Sequence, residues 1–205
     1  YFNLNAKDAR VAHAERDVPY PTLEQARHAF EQMPSATPMQ RRDKALFAFL
    51  MLTGARDGAI ASLRLSHIDL MQGCVRQDAR EVKTKFSKSF TTWFFPVDPA
   101  YLDCFRDWVE YLRKDELFGH RDALFPKPQI GLKDGGFACI GLSRETYGNA
   151  NRIRAVIGQA FKVAGLPAFG PHSFRKTLGI LANEHCKSPE QFKAWSMNLG
   201  HENIA

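Results

Sequence analysis

Cysteine is scarce and scattered in this 205-residue chain: Cys74, Cys104, Cys139 and Cys186 form no Cys-x-x-Cys pair, and no histidine stands at zinc-finger spacing. That pattern excludes a zinc ribbon or a disulfide framework and reads as reduced thiols in a cytosolic protein. Long apolar runs are missing as well. The longest, Ala45 to Leu52, is far too short to span a bilayer, and no basic segment followed by an apolar core opens the chain. Neither a membrane nor a secretory role is read from it. There is no Gly-rich phosphate loop and no Ser-centred nucleophile elbow, so nucleotide hydrolysis and acyl transfer lose support. Repeats and low-complexity tracts are also lacking. Metal-ligand spacing is absent among His13, His28, His67, His120 and His185, which read as surface or helix-cap residues, and no metal or cofactor is expected.

What is present suits one globular domain with a real core: 44% of residues are apolar and 24% charged. Lys and Arg outnumber Asp and Glu by 28 to 22, a balance that suits an anionic partner without demanding one. The distribution says more than the total. Arg80, Lys83, Lys85 and Lys88 stand against a single Glu81 in a strand-like segment, and such a basic hairpin is a natural phosphate contact. It also reads as a solvated edge strand whose lysines prevent sheet-to-sheet association.

Helix signals are plain. Thr22 with Gln25 and Thr37-Pro38 open two helices, Asp98-Pro99 opens another, and Ser188-Pro189-Glu190-Gln191 opens the last as a capping box closed by Gly200. The second helix ends at Thr53-Gly54 and is apolar on every face from Ala45 to Leu52, so it should lie at the centre of the core. Gly54 suits the left-handed terminus that would fix Arg56 just beyond it. A short helix is expected from Asp57 to about Leu65. Strands are expected at Gly73 to Gln77, Ala79 to Thr84 and Ser89 to Phe95, with Trp93-Phe94-Phe95 read as core strand rather than as base-stacking aromatics. Residues 115 to 147 read as a long, weakly patterned connection. Ile153, Val156, Ile157, Ala160, Phe161 and Ala164 define an amphipathic helix, and Ser173 to about Glu184 a further one. Residues 1 to 20 read as a linker and 21 to 205 as the domain. The fold class is mainly α with a small antiparallel β-sheet.

Two distant segments carry the chemistry: Thr53-Gly54-Ala55-Arg56, and Pro171-His172-Ser173-Phe174-Arg175 with Leu199-Gly200-His201 beyond it. An arginine fork donates bidentately to phosphate and stays charged. His172 and Arg175, three residues apart, would project from one helix face while Phe174, Leu178 and Leu181 face the core. Either motif alone is common: Thr-Gly-x-Arg is a helix end followed by a charge, and His-x-x-Arg two polar residues at helical spacing. Their conjunction in order is what points to a site.

That conjunction resembles the active-site signature of the tyrosine recombinases, the phage-integrase family, over essentially residues 22 to 204. The resemblance implies the catalytic-domain (DNA breaking-rejoining) fold, preceded by a separate DNA-binding domain, and metal-independent strand cleavage through a 3′-phosphotyrosine. It implies Arg56, His172, Arg175 and His201 as catalytic residues. It puts the hairpin lysine that protonates the leaving 5′-oxygen at Lys85, with Lys83 and Lys88 as rivals, and Arg80, Lys83 and Lys88 as DNA contacts. It further implies double-stranded DNA as partner, a homo-tetramer on two sites, a mobile genetic element, and a cytoplasmic, nucleoid-associated setting. The nucleophile expected about ten residues after His201 would lie past Ala205, so this chain alone is expected to be inactive. Three residues after Arg56 the family usually has an acid, where this chain has Ala59. A non-catalytic DNA-binding module that keeps the fold is the alternative, and a type IB topoisomerase a weaker one.

Overall fold

The computed structural model describes residues 19–84, 88–133 and 135–201. The expected linker, but for its last two residues, and Lys85 lie outside them. None of the described helices is long and apolar enough to cross a membrane.

Helix α1 (Leu23–Gln32) starts where Thr22 Oγ1 accepts the Gln25 N–H and Gln25 Oε1 accepts the Thr22 N–H. Helix α2 (Pro38–Thr53) repeats that reciprocal cap with Thr37 and Gln40, and Pro38 sits in the first turn, where no N–H is missed. From Ala45 to Leu52 no residue of α2 is more than 2% exposed. The rings explain why a helix this apolar is stable at the centre. Phe47 packs on Phe30 of α1, and on Phe161 and Phe174 of two later helices, while Phe49 packs on Phe105 and Phe125. Each such side chain contributes roughly 1.5–3 kcal/mol by leaving water.

Helix α3 (Asp57–Ile60) is shorter than the Asp57–Leu65 expected. Ser62 cuts it off: its hydroxyl donates to the Ala59 carbonyl and accepts the Lys83 N–H, turning the chain into a 3₁₀ turn at Leu65–His67. The antiparallel sheet runs β1 (Ile68–Asp69), β2 (Cys74–Gln77), β3 (Phe90–Trp93), with Cys74 opposite Trp93 and Gln77 opposite Phe90. The strand expected at Ala79–Thr84 is a turn instead. The Asp78 carbonyl accepts the Glu81 and Val82 N–H groups and its carboxylate binds Arg80, so local bonds displace a ladder.

Helix α4 (Pro99–Lys114), capped by Asp98, buries Tyr101, Phe105, Trp108, Val109 and Leu112. The connection at 115–147 is not structureless: β4 (Pro128–Lys133) and β5 (Gly136–Leu142) form an antiparallel hairpin. Its side chains are mostly exposed on both faces, so the short alternation of Ile130 and Leu132 is not backed by a buried face. Helices α5 (Asn151–Val163), α6 (Ser173–His185) and α7 (Pro189–Asn198) complete the order. Ser188 caps α7 as expected, but Gln191 returns to the Lys187 N–H rather than to Ser188, so only half of the box forms.

One further expectation is narrowed and one corrected. His67, 5% exposed, takes the helix-cap rather than the surface role: Nδ1 accepts the Arg64 N–H at the start of the 3₁₀ turn and Nε2 donates to Glu81 at 2.8 Å. Trp93 is 52% exposed, on the face of β3 opposite the buried Thr92, and only Phe95 of its cluster, beyond the end of the strand, is deeply buried.

Candidate active site

Two glycines in left-handed conformation bring the two motifs together. At Gly54 (φ 56°) α2 stops, and a Cβ built there would lie 2.9 Å from Leu199 and 3.0 Å from Leu178. At Gly200 (φ 75°) a Cβ would lie 3.2 Å from the Phe90 ring and 3.6 Å from the Arg56 guanidinium. Both positions need the missing side chain for conformation and for space. The end of α2 thus packs directly on α6 and on the residues after α7.

Helix α7 buries none of its own residues fully, so named contacts hold it in place. Trp195 Nε1 donates to the Leu178 carbonyl at 2.8 Å and its ring meets Phe95. Asn198 pairs with the edge of β3 as a strand would: Oδ1 accepts the Trp93 N–H and Nδ2 donates to the Trp93 carbonyl. These contacts fix Leu199, Gly200 and His201 against α6.

Arg175 is the buried centre of the site, 7% exposed. Its guanidinium donates to the Gly54 carbonyl at 2.8 Å, to the Leu199 carbonyl, and to His201 Nε2 at 3.0 Å. One side chain therefore ties both signature segments. Burial, and then the Arg56 charge, push the Arg175 pKa down to about 10. His201 also titrates below its ordinary value, first through burial and then through Arg175, Arg56 and His172. His172, at the start of α6, is exposed and close enough for its charge to act on His201.

The structure thus gathers Arg56, His172, Arg175 and His201 of the expected residues. Among the described residues no carboxylate pairs with either guanidinium. Asp57, beside Arg56 in sequence, binds Arg154 of α5 at 2.6 Å, and Ala59 is buried in the core. Among the described residues the two arginines thus meet each other's charge and no carboxylate, an arrangement that desolvation makes costly and that an arriving oxyanion relieves. Arginine N–H groups and imidazoles at this spacing can bind tetrahedral oxyanions and stabilise added charge on them.

The basic segment is less uniform than its sequence suggests. Arg80 is paired with Asp78, whose carboxyl it holds down at about 2. Lys83 Nζ donates to the Gly148 carbonyl at 2.6 Å. Lys88 is described and also has a partner, whereas Lys85 lies outside the described residues. Two residues that sequence reasoning missed are Asn198, which docks α7 on β3, and Ser196, whose hydroxyl lies 3.1 Å from His201 Nδ1.

A first prediction concerns the field within the cluster. In Arg56→Gln one cation is removed, so His201 should titrate closer to the ordinary histidine range than in the parent, followed by histidine ring NMR. The folded ring binds its proton less readily than the unfolded one, so His201 costs stability as pH falls through the ordinary histidine range, and less so in the variant.

The chain matches the family described as "Phage integrase family" over residues 21–205. Tyrosine recombinase XerC of Corynebacterium efficiens is 26% identical over 137 residues, covering 67% of this chain and 36% of that protein. XerC of Corynebacterium glutamicum is 26% identical over 164 residues, covering 79% and 45%. The chain therefore spans less than half the length of these curated relatives. Among solved structures, XerA recombinase is similar with a TM-score of 0.62 at 18% identity, covering 93% of this chain and 58% of that one. The integrase of mycobacterium phage Brujita has a TM-score of 0.59 at 17% identity, covering 93% and 52%. These likenesses show the same fold, helical with small antiparallel sheets.

Proposed function

Since the chain belongs to the phage integrase family of tyrosine recombinases, we propose that it is the phosphate-binding part of a site-specific recombinase catalytic domain. The observation that carries this reading is the convergence of Arg56, His172, Arg175 and His201, with the buried Arg175 guanidinium tying both signature segments.

In the proposed reaction a tyrosine oxygen attacks the scissile phosphorus, the bond to the 5′-oxygen breaks, and a 3′-phosphotyrosyl link forms. Attack by the 5′-hydroxyl of another strand reverses the step. The phosphoryl bond is conserved in the link, so no energy source is required. Arg56 and Arg175 hold the non-bridging oxygens and offset the charge of the pentacoordinate transition state. His172 assists proton transfer at the tyrosine, and His201 donates to a non-bridging oxygen. The proton for the leaving 5′-oxygen is assigned to Lys85, while Lys83 is committed to a backbone carbonyl.

No tyrosine follows Tyr147 in this chain, so the nucleophile is assigned to a segment outside residues 1–205. A groove of about 580 Å³ between α6 and α7, lined by His172, Arg175, Ile180, Phe192, Trp195 and His201, opens beside the cluster and gives such a segment room. The expected partner is double-stranded DNA, bound chiefly through its backbone and so with strong salt dependence, with four copies acting on two duplexes. Integration or excision of a mobile element is the expected setting.

Ala59 favours one second reading, a DNA-binding module without catalysis, because the usual acid beside the first arginine is replaced by a buried methyl group. One experiment separates the two. The tyrosine-containing parent protein is incubated with fragmented host DNA, denatured, and analysed by mass spectrometry for peptide-linked DNA. A 3′-phosphotyrosyl adduct is the expected result. DNA retention with no adduct under the same conditions would transfer the assignment to the second reading.

A further inference from the structure

Hydrogen-bond accounting fixes the tautomer of His201. An arginine nitrogen can only donate, so Nε2, 3.0 Å from the Arg175 guanidinium, accepts. The ring proton of the neutral imidazole is then on Nδ1, where the Ser196 hydroxyl at 3.1 Å accepts it. In this state Nε2 has nothing to give to an oxyanion. A hydroxyl, however, both donates and accepts, and by rotating it can serve either tautomer.

We propose that Ser196 is a positioning residue for His201, whose hydroxyl reverses its bond to Nδ1 so that Nε2 changes from acceptor of the Arg175 proton to donor toward a bound phosphate oxygen. This rests on the reading of His201 as a phosphate ligand given above. No proton is gained or lost by the ring: one leaves Nδ1 and one is taken up at Nε2 through solvent, while Ser196 turns from acceptor to donor. Among the described residues the groups facing the ring are Arg56 just before α3, His172 just before α6, Arg175 of α6 and Ser196 of α7. Three of them are cationic or become so, and they oppose formation of an imidazolium, which could donate from both nitrogens without help. A neutral ring in this field depends on its tautomer, and its Nδ1 partner must accept in one tautomer and donate in the other, which a hydroxyl can do.

The test uses this chain and inorganic sulfate, a tetrahedral oxyanion whose charge stays constant over the range needed. Affinity is measured by calorimetry, and the His201 ring nitrogens are followed by NMR, for the parent and for Ser196→Ala, Ser196→Thr and His201→Ala. At about pH 8, where the ring is neutral, Ser196→Ala should bind sulfate about fivefold more weakly than the parent, the worth of one neutral hydrogen bond. Ser196→Thr should match the parent. As pH is lowered until the ring titration is complete, the difference between Ser196→Ala and parent should vanish, because the protonated ring donates from both nitrogens. In the parent, sulfate should convert His201 Nε2 from an unprotonated to a protonated nitrogen.

A deficit that persists unchanged at low pH would mark Ser196 as merely structural and overturn the proposal, as would unchanged affinity in Ser196→Ala while His201→Ala is impaired. If His201→Ala itself binds sulfate like the parent, the underlying reading of His201 as an oxyanion ligand fails instead.

Discussion

Arg175→Ala is expected to abolish adduct formation in the tyrosine-containing protein and to lower the stability of the domain at the same time. Both effects come from one guanidinium. It is buried, and it donates to the carbonyl that ends α2 and to a carbonyl just beyond α7. Alanine leaves both carbonyls without that partner, at roughly 1–3 kcal/mol for each buried group left unsatisfied. Relief of the repulsion with Arg56 returns part of this, so a net loss of about 2–4 kcal/mol is expected in chemical denaturation. On the reaction, removal of one preorganised donor to a charge-bearing oxygen costs on the order of a hundred- to a thousandfold.

Arg175→Lys separates the two effects. An ammonium keeps the charge but cannot reach two carbonyls and a phosphate in one plane, so much of the fold should return without the activity. A phosphotyrosyl adduct formed by folded Arg175→Ala at the parent rate would remove Arg175 from the site.

The difference between what the sequence announces and what only the fold reveals has a local cause. Thr22, Thr37 and Asp98 are legible because a cap joins residues two or three positions apart, and Thr53-Gly54 is legible because a helix end needs its left-handed residue in place. Arg56, His172, Arg175 and His201 could be singled out from the order of two distant motifs, and the fold brings the four together. The segment 79–84 misleads because strand-forming composition there loses to bonds made by Asp78. Hairpin β4–β5 is silent because both of its faces meet solvent. Ser196 and Asn198 are ordinary polar residues on a helix. Their roles depend on His201 and on Trp93, and the latter is 105 residues away along the chain.

The second large effect belongs to Gly54, where shape rather than charge decides. An alanine at φ 56° pays about 1–2 kcal/mol for the left-handed conformation. Its methyl group must also fit where 2.9 Å separates it from Leu199 and 3.0 Å from Leu178, both nearly inaccessible to solvent, and overpacking of that kind costs typically about 1–3 kcal/mol more. Gly54→Ala should therefore lose about 2–5 kcal/mol and melt well below the parent. The Gly54 carbonyl also receives Arg175, and Leu199 precedes Gly200 and His201, so the clash pushes on the two elements that shape the cluster. Sulfate affinity should fall even at temperatures where the variant is fully folded. Gly58→Ala is the matched control: it lies four residues away, on α3, with its nearest neighbour at an ordinary 3.7 Å. It should change neither property by more than a small fraction of the Gly54 effect. Equal melting temperatures for Gly54→Ala and the parent would mean that α2 does not end in the geometry that holds the two arginines together.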